Sequence, residues 1–83
     1  ESIKTYHRDM LNKANQALDF QNIEERDISG VGFAIDPKNL PSLKKDISEF
    51  LDQIVTKYSK GKRKHVYQLQ TALFRLTQGD TND

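Results

Sequence analysis

The stretch ERDISGVGFAID, Glu25 to Asp36, decides the fold because it separates two helical patterns. After Gly30, bulky side chains alternate with small ones, which is typical of a strand with one crowded and one bare face. Gly30 and Gly32 lie inside this pattern, whereas a phosphate-binding loop places its glycines after the strand, where a helix begins. The third glycine of a dinucleotide fingerprint is replaced by Ile35. We therefore predict a structural strand, and no nucleotide or other cofactor site.

Helical spacing precedes this stretch. From Ile3 onward, apolar residues recur every three or four positions, and this predicts an amphipathic helix over residues 2–20. Between this helix and the strand, the neighbouring charges of Arg26 and Asp27 are expected to form a local ion pair or to hold a turn.

A second helix follows the strand. Asp36 and Pro37 fit an N-cap and the first helical position, and apolar residues continue at helical spacing to about Ser59. Pro41 lies one turn in and removes a hydrogen bond, so the regular helix is expected to begin nearer Leu40.

A second alternating segment, residues 65–77, completes the order helix, strand, helix, strand. Apolar residues occupy both of its faces toward the end, which predicts burial between layers or a bulge. We expect an α+β fold with two helices on a small sheet, in a single domain over residues 1–77 with a polar tail at 78–83. Two strands are marginal alone, so homodimerisation is expected to complete the sheet. The predicted core residues are Val31, Phe33, Ile35, Tyr67, Leu69 and Leu73. The predicted interface residues are Gly30, Gly32, Ala34, Phe74 and Leu76.

Composition excludes several kinds of chemistry. The chain has 83 residues, 35% of them hydrophobic and 30% charged, and it has no cysteine. Disulfides, thiolate metal sites and cysteine nucleophiles are therefore absent. No apolar run approaches the ~18 residues of a membrane span, so we expect a soluble, cytoplasmic protein with no membrane partner. The first residue is not methionine, which suggests a fragment of a longer protein.

The titratable residues do not form a recognisable catalytic or metal-binding pattern. His7 and His65 are the only histidines, and neither has a partner at the helical spacing of a metal site. The acidic residues read as a solvated surface rather than a pair for acid–base catalysis. We predict no catalytic residue, no metal site and no enzymatic activity.

A basic run follows the second helix. It consists of Lys60, Lys62, Arg63, Lys64 and His65. A solvated loop is the simpler interpretation, and contact with phosphates or an acidic partner is the alternative. The net charge of +1 argues against a basic nucleic-acid binder as a whole.

Three segments together resemble a known family. They are YHRDMLNKANQALD from Tyr6, ERDISGVGFAID from Glu25, and VYQLQTALFRLT from Val66. The sequence resembles the C-terminal domain of unknown function in a large family of helix-turn-helix-type bacterial transcriptional regulators, abundant in predatory bacteria. The matching residues are His7, Arg8, Met10, Leu11, Ala14, Ala17, Glu25, Arg26, Asp27, Ser29, Val66, Tyr67, Gln68, Leu69, Leu73, Phe74, Leu76 and Thr77. Arg75 stands where the family pattern has proline.

The resemblance implies a non-catalytic dimerisation or effector domain of a transcriptional regulator. It also implies that DNA is bound by a segment N-terminal to this sequence, and it transfers no catalytic residue. Two other functions stay open: a module that senses a small ligand, and a domain that contacts nucleic acid through the basic run.

Overall fold

The computed structural model describes residues 1–79. Two helices dominate, α1 (Ser2–Phe20) and α2 (Leu40–Tyr58), with two single-turn 3₁₀ helices at Ile23–Glu25 and Pro37–Asn39. No strand occurs between residues 1 and 79, so the fold is all-α and the predicted α+β class is wrong. Most of the predicted polar tail, 80–83, lies outside the described residues.

Helix α1 has the bounds that its apolar spacing predicts. Its C-terminal carbonyls are satisfied by Arg26, whose Nε donates to the carbonyl of Gln21 at 3.0 Å and whose Nη2 donates to that of Leu18 at 3.4 Å. The last carbonyls of a helix lack partners within it and carry partial negative charge, so a guanidinium suits this position. Arg26 therefore holds the turn after α1, and Asp27 does not form an ion pair with it within the described residues.

Helix α2 begins as its proline pattern predicts. The Asp36 carboxylate accepts a hydrogen bond from the Lys38 amide at 3.0 Å, and a 3₁₀ turn follows over Pro37–Asn39. Regular α-helix starts at Leu40 and ends at Tyr58. Pro41 falls in the first turn, where its missing amide leaves no intrahelical bond unmade.

The two predicted strands are irregular segments: the glycine segment, residues 26–36, and the C-terminal strap, residues 66–77. No ladder of backbone hydrogen bonds joins them in the part of the chain that is described. Alternating side chains favour an extended backbone, but a strand also requires a paired neighbour. The strap instead lies against the two helices through its side chains, and this explains why its alternation did not produce a sheet.

Without a sheet, the predicted core does not form. None of the described residues is buried, and all six predicted core side chains are exposed. The half-buried apolar residues lie on the helices instead. They are Met10, Ala14 and Ala17 on α1, and Leu43, Ile47, Leu51 and Ile54 on α2.

The chain is open for its size. Its radius of gyration is 15.8 Å, whereas a compact domain of this length has about 12 Å. The Cα atoms of α1 and α2 stay more than 8 Å apart throughout. The accessible surface is 8370 Å², about 3,300 Å² more than a compact monomer of this mass exposes.

Candidate interaction site

A chain of hydrogen bonds ties the start of α1 to the strap. Gln68 Nε2 donates to Tyr6 Oη at 3.0 Å and to Gln70 Oε1 at 3.0 Å. Gln70 Nε2 lies 3.0 Å from His7 Nδ1. The four side chains, Tyr6, His7, Gln68 and Gln70, form a cluster that we call the polar clasp.

The geometry of the clasp fixes the role of each group. Because Gln70 Oε1 accepts from Gln68, its amide nitrogen faces His7, and an amide nitrogen can only donate. His7 Nδ1 is therefore the acceptor, which places the ring proton of the neutral imidazole on Nε2. The Tyr6 and His7 rings meet edge to face with centroids 5.5 Å apart.

The strap also contacts an open groove on α2. Thr71 and Leu73 line this groove with residues of the first three turns of the helix. The α2 residues are Leu40, Lys44, Ile47, Ser48 and Leu51. Four of its seven lining residues are leucine or isoleucine, and its volume is about 340 Å³. We call it the α2 groove.

Residues on the two faces of the strap therefore contact different helices. Gln68 and Gln70 point to α1, while Thr71 and Leu73 line the α2 groove, as the alternation of an extended chain allows. Gln70 is the one half-buried residue in the strap. The Cα atoms of α1 and α2 stay more than 8 Å apart, and the strap, which contacts both helices, links them.

The basic run lies in the loop that joins α2 to the strap, residues 59–65, which we call the basic loop. All of its residues are exposed. Within residues 1–79 the one ion pair joins Lys45 to Glu49 at 3.9 Å, so no cation of the basic loop has a carboxylate partner there. Gly61 has φ of 79°, the one positive φ among the described residues, and it turns the chain after α2.

The predicted interface residues are all exposed: Gly30, Gly32, Ala34, Phe74 and Leu76. A Cβ added at Gly30 or Gly32 would meet nothing within 4 Å. The close approach predicted there is therefore not made by residues 1–79, and the role of the five residues as an interface with another molecule stays a prediction.

Sequence reasoning missed the polar clasp. Helical spacing shows only that His7 lacks a metal-site partner, and the apolar alternation of residues 65–77 says nothing about their amides. The signal was present in Gln68 and Gln70, two long amides on the same face of an otherwise apolar segment. Amides spaced in this way indicate that a polar surface lies against that face. Here Tyr6 and His7, near the start of α1, form that surface.

Other kinds of site do not emerge from the described residues. Between residues 1 and 79 no three histidine or acidic side chains come together in an arrangement that can hold a metal ion. Neither α1 nor α2 combines the length and apolarity needed to cross a membrane.

These features define a small two-helix domain held together by a C-terminal strap. The chain belongs to the family described as Domain of unknown function (DUF4423), whose model matches residues 1–76. The expected likeness to an uncharacterised domain is thus confirmed at the level of the family. Searches of the curated proteins and of the solved structures found no match.

Proposed function

We propose that this domain is a non-catalytic dimerisation module of a transcriptional regulator, in which DNA is contacted by a segment outside this sequence. The resemblance of residues 6–77 to such regulators supports the regulatory part. The exposed apolar surface supports the dimer.

The surface area carries the proposal. Stable homodimers bury about 2,000–5,000 Å² in total, or about 1,000–2,500 Å² on each partner, and each copy of this chain exposes about 3,300 Å² more than a compact monomer. Large apolar side chains account for much of that exposure, including Phe74 at 71% and Leu76 at 80%. Apolar area left in water costs about 25 cal/mol per Å², so covering it by a second copy is strongly favourable.

The C-terminal end of the strap is the best candidate for the centre of the dimer interface. Phe74 follows Leu73 of the α2 groove directly, Leu76 lies two residues further on, and both side chains are exposed. Aromatic and large aliphatic residues that become desolvated at an interface contribute most of its binding energy.

Light scattering of the full chain from micromolar to millimolar concentration tests the proposal. We expect the mass of a dimer, and at least a tenfold weaker association for Phe74→Ser, because truncating an anchor residue costs about 2 kcal/mol or more. Gln78→Ser, a polar change close by, is the matched control and should not alter the mass. A monomer throughout this range contradicts the proposal.

The basic loop favours a second candidate function, contact with nucleic acid. Its cations Lys60, Lys62, Arg63 and Lys64 have no carboxylate partner among the described residues, which leaves them able to bind phosphates. Binding of duplex DNA should then weaken steeply with salt, and Lys62→Gln with Lys64→Gln should lower the salt slope by about 2. The control removes the same charge from α1, with Lys4→Gln and Lys13→Gln. No binding at low salt removes this function.

A further inference from the structure

The way in which the strap is attached points to how two copies associate. We propose that the dimer forms by exchange, with the strap of each chain seated in the α2 groove and on Tyr6 and His7 of the other. This inference rests on the proposed dimerisation and identifies the segment and the surface that make it.

The strap is held by detachable contacts. Gln68 and Gln70 join it to α1 by side-chain hydrogen bonds to Tyr6 and His7, and no backbone hydrogen bond between described residues ties it to either helix. Its seat on α2 is an open groove rather than an enclosed core. Hydrogen bonds of this kind contribute little net free energy because water replaces them when they break, so the strap can be released without breaking a packed core.

The basic loop has the properties of a hinge. Its residues are exposed, and it reverses direction at Gly61 in a conformation that only glycine adopts without strain. Four of its five residues from Lys60 to Lys64 are cationic, so a tight bend brings like charges together. The seven residues 59–65 span up to about 24 Å when extended. This length allows the strap to reach a second copy of the chain packed beside the first.

The strap of a second copy fits the α2 groove without any change in the residues that make the contact. The strap of the partner has the same Gln68, Gln70, Thr71 and Leu73, so exchange preserves every contact of the closed chain. The free energy gained by exchange comes from the apolar strap residues outside these contacts. Val66 is fully exposed at 102%, and a strap that crosses between two bodies can bury its apolar residues against both.

Chemical cross-linking distinguishes exchange from simple association, because the chain has no cysteine of its own. Ser48 and Thr71 line the α2 groove together and are close in size to cysteine. A chain with Ser48→Cys and a chain with Thr71→Cys, carrying tags of different size, are mixed unfolded, refolded together and treated with a short bismaleimide. We expect a covalent heterodimer on a denaturing gel, with a yield at least fivefold above that of the control pair. The control combines Thr71→Cys with Glu49→Cys, which lies outside the α2 groove.

The double variant Ser48→Cys with Thr71→Cys completes the test. In an exchanged dimer it cross-links between chains. If light scattering shows a dimer while the double variant cross-links only within chains, exchange is wrong and dimerisation stands. If the chain is monomeric and the cross-link is internal, both proposals are wrong.

Discussion

Gln70 places its Nε2 3.0 Å from Nδ1 of His7, although the two residues are 63 positions apart in the chain. Together with the bond from Gln68 to Tyr6, this contact joins the strap to α1. The attachment therefore depends on hydrogen-bond geometry, which single-atom substitutions can test.

Tyr6→Phe removes the hydroxyl that accepts from Gln68. We expect the free energy of unfolding to fall by about 0.5–1 kcal/mol, since an exposed hydrogen bond contributes at the low end of the usual range. Urea unfolding at a fixed protein concentration measures the change. Tyr58→Phe is the matched control. No hydrogen bond joins the Tyr58 hydroxyl to a described residue, and a phenylalanine ring would keep the contact that Tyr58 makes with Lys57 Nζ, which lies 5.3 Å from the ring centre. Equal effects of the two substitutions would contradict a role for the clasp.

Arg26 satisfies two carbonyls at the end of α1, so Arg26→Ala should lower the free energy of unfolding by about 1–2 kcal/mol. Arg26→Lys should restore little of this loss because an ammonium lacks the planar fork that reaches both carbonyls. Arg8→Ala removes the same charge from an exposed position of α1 and should change stability by less than about 0.5 kcal/mol. A full recovery with lysine would show that the charge alone matters.

Asp36→Ala removes the side-chain acceptor at the start of α2. We expect a loss of about 0.5–2 kcal/mol, the usual effect of deleting an N-cap. Asp36→Asn keeps an acceptor oxygen and should recover most of the stability. The control is Asp46→Ala within α2, which should be neutral or slightly stabilising because alanine has the higher helix propensity. Helix content by circular dichroism and urea unfolding report both effects, and a failure of asparagine to recover stability would rule out capping.

Gly61→Ala strains the bend of the basic loop, since a left-handed conformation costs a residue with a side chain about 1–2 kcal/mol. If the strap exchanges through this loop, the strain destabilises the monomer, in which the strap folds back onto its own helices. The dimer fraction should therefore rise. Sedimentation velocity at a concentration where both species are populated measures this change. Gly32→Ala is the control because its φ is not positive and no atom lies within 4 Å of the added methyl. A lower dimer fraction for Gly61→Ala would mean that the bend belongs to the dimer.

The helices were predictable because their signals are local. The spacing from Ile3 sets the bounds of α1, and the pair Asp36 and Pro37 marks the 3₁₀ turn before α2. Pro41 indicates that regular helix begins at Leu40. The strap was not predictable in the same way. Alternation along residues 65–77 indicates that two faces differ, but it does not say whether a strand or a helix lies against each face. Gln68 and Gln70 carried the missing information, because amides on one face require hydrogen-bonding partners there.

The position of the strap at the far end of the sequence also affects how quickly the protein can fold. Helical proteins usually fold fast because their contacts are local, and folding slows as contacting residues lie farther apart in sequence. Here the Cα atoms of the two helices stay more than 8 Å apart, and the hydrogen bonds that join the strap to α1 link residues 62 and 63 positions apart. Rapid helix formation should therefore precede a slower step in which the strap closes, and stopped-flow circular dichroism should separate the two.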